Sequence, residues 1–299
     1  TGLCVRQITL VRTSGEVVEC GPHQNVELFR ATIGGLGLTG VISRVSLQLV
    51  RCESQWIEAE TIAFSNLSEF FQIADQSELS WPYTVAWVDC SRRNSQRGIF
   101  TRGNFSGTVE YKRKRNSRMK VPITPPVSFV NQLTLKPFNQ FYYHFKRWKS
   151  GKHLMHYQPF FYPLDQWLSW NKLYGPRGFY QYQSVVPHKD RLAVTQAMME
   201  AIASSGQGSL LAVLKTFGKI VSPGMLSFPI HGVTLAIDFP NCGQKTLSLF
   251  KTLDAIVIEA GGRLYPAKDA RMSRELFKRS YPNYDQFLAY RDIGMSSAW

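Results

Sequence analysis

The chain has 299 residues, 44% hydrophobic and 13% aromatic, enough to bury one large core or two medium ones, which excludes a chain disordered throughout. Its formal net charge of +14 favours an anionic partner, whether a phosphate-bearing ligand, an acidic lipid surface or nucleic acid. No apolar run approaches the ~20 residues of a membrane span, no charged-then-apolar leader pattern opens the sequence, and five scattered cysteines without a C-x-x-C pair indicate neither a disulfide framework nor a zinc knuckle, so a reducing compartment fits.

In chain order, Val5 to Val11 and Glu16 to Cys20 read as β-prone runs joined by a Thr13-Ser14-Gly15 turn, followed by a short helix from Val26 to Thr32. After a glycine-rich turn, Val45, Leu47 and Leu49 alternate with polar residues, the period of a half-buried strand. The chain changes character near Arg51. Strand (56–64), helix (66–76) and two strands (83–89, 98–102) then follow in an α+β order. A basic, proline-containing stretch from Lys112 to Pro126 is expected to be a mobile loop, and Phe129 to Trp148 to be partly helical. Pro163 to Tyr174 reads as a helix opened by proline and closed by Gly175. A strand (179–186), a helix (189–204), two strands (210–217, 233–239) and an amphipathic helix (245–260) stopped by Gly261-Gly262 complete the pattern.

Three local features invite chemistry. Gly35-Leu36-Gly37-Leu38-Thr39-Gly40 satisfies G-x-G-x-x-G, but the order around it is helix, turn, strand, whereas a dinucleotide fingerprint needs strand, turn, helix; what the glycines permit is close approach of backbone to a ligand or a purely structural turn. His153 and His156 form an H-x-x-H pair with no carboxylate or thiol at ligand spacing, so no metal is expected. Basic residues crowd two stretches, one holding Lys112, Arg113, Lys114, Arg115, Arg118 and Lys120, the other Lys146, Arg147, Lys149 and Lys152; each is a ligand surface or simply a solvated run.

Four spaced motifs carry a resemblance. They are Glu27 to Ile42 around the glycine turn; Phe161-Tyr162-Pro163-Leu164-Asp165 leading to Trp170-Asn171; Tyr174-Gly175-Pro176 with Phe179-Tyr180-Gln181-Tyr182-Gln183; and Gly261 to Asp269. In order, they resemble FAD-dependent oxidoreductases of the vanillyl-alcohol-oxidase fold, closest to the enzymes that oxidise a ribose on a polyprenyl phosphate. The resemblance implies FAD as cofactor, with Gly34, Gly35, Gly37, Thr39, Gly40, Val41, Tyr265 and Lys268 beside it. It also implies that a half-domain with the loop holding the FAD pyrophosphate precedes this start, so the chain is expected to be a fragment.

The family reaction moves a hydride from a sugar carbinol carbon to the flavin, so a cation near the reduced ring is expected. Lys268 matches the family lysine and, with Gln183, is assigned to catalysis. Gln181 and Gln183 share one strand face, Tyr180 and Tyr182 the other. Trp87, Phe161, Lys215, Thr234 and Ala236 join the two amides as substrate-binding candidates by the same resemblance. Phe161, Thr234 and Ala236 stand where mycobacterial relatives have tyrosine, asparagine and cysteine, so the substrate is open to difference. The resemblance further implies a peripheral place at the bacterial inner membrane or in the cytoplasm, and a short-chain dehydrogenase partner completing an epimerisation.

The expected fold is α+β: residues 1–52 and 261–299 contribute to an FAD-binding domain, and 53–260 form a substrate domain with a large antiparallel sheet flanked by helices. Two competing functions stay open at this point, an aldonolactone oxidase of the same fold and, from another class, a basic nucleic-acid-binding module footed on Tyr111 and Arg113 to Lys120.

Overall fold

The computed structural model describes residues 2–93, 96–107, 119–268 and 271–296. The opening hairpin pairs β1 (Val5–Val11) with β2 (Val17–Cys20), and Gly15, at φ +87°, supplies the turn that a Cβ would strain. Helix α1 (Val26–Thr32) lays Phe29 on Val5, Ile8, Leu10 and Cys20. β3 (Val41–Leu47) returns antiparallel to β1, giving the order β2-β1-β3. The alternation in its sequence predicts one buried face, but every residue of β3 is exposed. It is an edge strand, and among the described residues nothing covers either of its sides; the period sets which residues share a face and cannot say whether that face is covered.

The larger sheet is antiparallel throughout. Its strands are β4 (Trp56–Phe64), β5 (Tyr83–Val88), β6 (Gly98–Phe105), and, beyond the short β7 (Met119–Lys120) and helix α3 (Gln132–Trp148), β8 (Gly151–His156). After α4 (Tyr157–Phe161) and β9 (Trp167–Leu168), β10 (Phe179–Pro187), β11 (Ala212–Phe217), β12 (Gly232–Pro240) and β13 (Arg263–Leu264) complete it. Spatially the order is β13-β10-β12-β11-β5-β6-β4-β8. The α+β class with a large antiparallel sheet is therefore observed. Arg263 and Leu264, assigned from sequence to the segment returning to the first domain, hydrogen-bond to β10 and extend the large sheet.

Helices α2 (Leu67–Ser77), α5 (Arg191–Ser205) and α6 (Gln244–Glu259) cover one face. α2 starts where it does because Asn66 accepts from the Glu69 amide at 2.9 Å while the Glu69 carboxylate accepts from the Ser65 amide at 2.7 Å, a reciprocal cap. Phe70, Met198, Phe250 and Leu253 press from the helices onto Phe100, Tyr182, Leu235 and Ile237 of the strands. Burial of this many apolar side chains is the main stabilising term of the fold.

The opposite face is covered only in part. Helix α3, opened by a capping box between Asn131 and Thr134, crosses it over β4 to β6. A buried carboxylate fastens it: Asp89 Oδ1 accepts from Asn139 Nδ2 at 2.9 Å and Asp89 Oδ2 pairs with Arg97 at 3.5 Å, whose guanidinium also sits 4.3 Å from the Tyr143 ring. Removing the carboxylate would strand both partners in a dry site.

The predicted helix over 163–174 does not form. Two 3-10 turns, Pro163–Gln166 and Trp170–Tyr174, flank β9, which pairs in parallel with β7, and Ser169 takes φ +60° between them. Pairing with a segment some fifty residues away outweighs local helix propensity there. Within the basic stretch expected to be a loop, Met119 and Lys120 form β7; Lys112, Arg113, Lys114, Arg115 and Arg118 lie outside the described residues. Helices α7 (Arg274–Ser280) and α8 (Tyr284–Leu288) bring Tyr281 and Phe287 onto Ala31, Met225 and Leu226. Asp292 ties the end of this segment to the hairpin turn by accepting from both the hydroxyl and the amide of Thr13, bonds that hold its carboxyl below the usual range.

Candidate active site

Because side chains alternate along each strand, the register decides what meets on the open face. Gln183 of β10 stands opposite Ala236 of β12, Gln181 opposite Asp238, and Val185 opposite Thr234. One strand further, Lys215 of β11 pairs with Thr234 and Val213 with Ala236, and Val213 in turn faces Trp87 of β5. Six of the seven substrate-binding candidates, Gln181, Gln183, Thr234, Ala236, Lys215 and Trp87, thus share one surface. From Gln183 to Trp87 it spans three interstrand steps, about 14 Å. Gln183 Nε2 donates to Thr234 Oγ1 at 3.2 Å, and Trp87 Nε1 donates to the Leu210 carbonyl at 3.0 Å.

The last motif closes one side of this floor. The Tyr265 amide donates to the Gln183 carbonyl at 2.9 Å, and the turn Tyr265-Pro266-Ala267-Lys268 returns the Lys268 amide to Tyr265 at 3.3 Å, proline presetting the first bend. The Tyr265 ring is stacked on Phe228 with centroids 4.6 Å apart, and Lys268 Nζ lies 5.5 Å from it. Gln181, Gln183, Tyr265 and Lys268 line one concavity together with Arg271. Lys215 stands on the same face of the sheet, and its ammonium is held below the ordinary lysine range first by burial and then by the like charge of Lys268. Among the described residues neither lysine has an ion pair. Two cations with no ion pair among the described residues fit an anionic group, such as the electron-rich edge of a reduced flavin ring or a phosphate.

Phe161 lies apart from the other six. Its ring packs 5.0 Å from Tyr83, four residues or about 13 Å along β5 from Trp87. It shares the open side of the sheet but not the polar floor.

The glycine turn is explained largely by its own packing. A Cβ on Gly35 would fall 2.1 Å from the Ala31 carbonyl, and one on Gly40 2.9 Å from the Val11 carbonyl. Thr39 shares its hydroxyl with Thr32 at 3.0 Å, and Val41 is exposed at the start of β3. Gly37, at φ +75°, has open space where a side chain would be. Gly34 abuts the Leu226–Ser227 backbone, and the following residue, Phe228, is the one stacked on Tyr265. The turn therefore connects to the floor through one loop and does not line it directly.

His153 and His156 sit on β8, where residues three apart point to opposite faces, so the pair cannot chelate one ion. No group of three or more His, Cys, Asp or Glu side chains able to hold a metal lies among the described residues. Sequence reasoning missed Arg271, which forms two hydrogen bonds to Asp254 of α6 at 2.6 and 2.9 Å and lies over Tyr182 and Phe250. It ties the chain just after Lys268 to the helical side of the sheet; its position three residues beyond Lys268 was the available signal.

No family model matches the chain. It is 33% identical, across 96% of its length, to decaprenylphosphoryl-beta-D-ribose oxidase of Mycolicibacterium smegmatis and covers 64% of that protein. A Streptomyces coelicolor protein of unassigned activity is 27% identical over 88% of the chain and 76% of its own length. Cytokinin dehydrogenase 9 of rice matches 29% of the chain at 30% identity, covering 17% of that enzyme. The chain is thus similar to oxidoreductases of the FAD-linked class that its motifs resemble. Within that class it is similar, over nearly its whole length, to the mycobacterial decaprenylphosphoryl-ribose oxidase, of which it spans a little under two thirds. No helix among the described residues is long and apolar enough to cross a membrane.

Proposed function

We propose that the protein this chain represents oxidises a secondary alcohol of a sugar, a polyprenylphosphoryl ribose, to a ketone with FAD as hydride acceptor. The observation that supports this most directly is the polar floor of Gln183, Thr234 and Lys215, edged by Tyr265 and Lys268, on a sheet whose other face is apolar. Bound flavin would supply the redox chemistry, taking up a hydride equivalent that no side chain can accept. Tyr265 and Lys268 would hold it, with the Gly34–Val41 turn contributing through the 226–228 loop. Gln183 and Gln181 offer amide donors and acceptors to sugar hydroxyls, Gln183 being steadied by Thr234. Lys268 supplies positive charge beside Tyr265, and Lys215, its proton loosened first by burial and then by that charge, can bind the sugar or pass a proton. Trp87 offers a flat apolar wall to a sugar ring.

The test compares the purified chain with a version extended upstream by the flavin half-domain of the mycobacterial relative. Flavin absorbance in the ~450 nm region is recorded, then its bleaching by candidate sugars. Colour in the extended protein that bleaches with polyprenylphosphoryl ribose supports the proposal. Absence of flavin from both proteins would overturn it, and bleaching by soluble aldonolactones alone would move the assignment to a lactone oxidase. A reagent that traps a cysteine in relatives should leave position 236 unmodified here, because Ala236 has no thiol; intact mass measures it.

A further inference from the structure

Helix α3 has two apolar faces, and only one of them meets the protein. Leu135, Tyr142 and Tyr143 turn toward the sheet. On the other side Phe138, Phe141, Phe145 and Trp148 recur at three- and four-residue spacing and face solvent, with Phe141 69% and Trp148 80% exposed. A surface helix normally turns charge outward, and a contiguous apolar stripe of this kind marks a contact surface. The stripe is ordered: Phe141 and Phe145 are stacked with centroids 5.8 Å apart, and Lys149 Nζ stands 4.4 Å above Phe145.

Its charges are of one sign. From Gln132 to Lys152 the sequence holds Lys136, Lys146, Arg147, Lys149 and Lys152 and no acidic residue. A second copy of the chain would bring an equally basic surface, and like charges oppose that contact. Outward aromatics among lysines are what an interfacial helix presents to a bilayer: rings enter the headgroup boundary while the lysine stems bend toward anionic headgroups. The stripe is also continuous with the candidate site, since Phe138 stacks on Tyr142 and Tyr142 lies 4.7 Å from Trp87.

We propose that the outer face of α3 docks on an anionic lipid surface and so brings the open face of the large sheet to a lipid-linked substrate. This deepens the proposed function and rests on it for its purpose, but it is tested without flavin or sugar, so the two fail separately. Flotation with vesicles of phosphatidylcholine containing a third phosphatidylglycerol, against phosphatidylcholine alone, is run on the chain, on Phe141→Ser/Phe145→Ser/Trp148→Ser, and on Trp148→Ser. Near-ultraviolet circular dichroism confirms that the variants keep the fold. The chain should float with the anionic vesicles, less so at high salt, and the triple variant should partition at least roughly tenfold more weakly. The single variant should fall between. No flotation with either vesicle, or a folded triple variant that floats like the parent, overturns the proposal. So does a dimer in solution that the triple variant dissolves, which assigns the face to self-association. Binding to a single-stranded oligonucleotide that the triple variant abolishes, with no flotation, assigns it to nucleic acid.

Discussion

The two faces of the eight-stranded sheet are made by alternate residues of the same strands, yet they do opposite things. On β10, Tyr182 and Val186 lie in the helix-covered core, while Gln181 and Gln183 point to the open side. On β12, Leu235 and Ile237 are core residues, while Thr234 and Ala236 belong to the floor. Apolar packing is concentrated on one side and the candidate site lies on the other, so polar and charged groups can gather on the second without weakening the first. A helix-packed face tolerates little change in volume, whereas a face covered only in part by a helix leaves more room for exchange of side chains.

The largest expected effect breaks the packed face. Phe250→Ala removes a ring in contact with Tyr180, Tyr182 and Phe239 and should cost about 3–5 kcal/mol in urea unfolding. A stability unchanged within error would mean that α6 is not seated there. The same packing shields Cys90, whose thiol is pushed up to about 12 by burial, and burial likewise raises Cys20 to about 11. Titration with a thiol reagent at mildly alkaline pH should therefore modify Cys4, Cys52 and Cys242 quickly and reach Cys20 and Cys90 only on unfolding.

On the open face the expected effects are smaller and electrostatic. Lys268→Met should raise the pKa of Lys215, because burial alone then opposes its charge, and pH-dependent amine modification of Lys215 followed by mass spectrometry measures the shift. The native pKa of Lys215 lies below its unfolded value, so the unfolded chain binds this proton more tightly. The penalty is therefore present below the native pKa and fades as pH rises from there toward the unfolded value near ~10.4. An unchanged Lys215 would show that the two lysines do not share a site. Smallest of all, Gln183→Ala loses one part-buried hydrogen bond to Thr234 and should cost about 1 kcal/mol. A loss as large as that of Phe250→Ala would mean that the floor is part of the core.

Sequence alone determined the local elements wherever period and punctuation agreed. The hairpin, α1, β4 and β10 to β12 fall within a residue or two of their predicted limits, because strand alternation and capping residues are short-range properties. The motifs also marked Gln181, Gln183, Tyr265 and Lys268, and the resemblance they carry added Lys215 and Thr234, before any register was known. Only the tertiary structure decided that three separated strands and one turn bring these residues together, since interstrand register is set by packing between distant segments. It likewise decided that β3 is bare, that Trp167 and Leu168 form a strand where a helix is predicted, that the glycine turn packs on its own chain, and that the second apolar face of α3 looks outward. Each depends on what lies across from a residue in space, which neither residue type nor period along the chain contains.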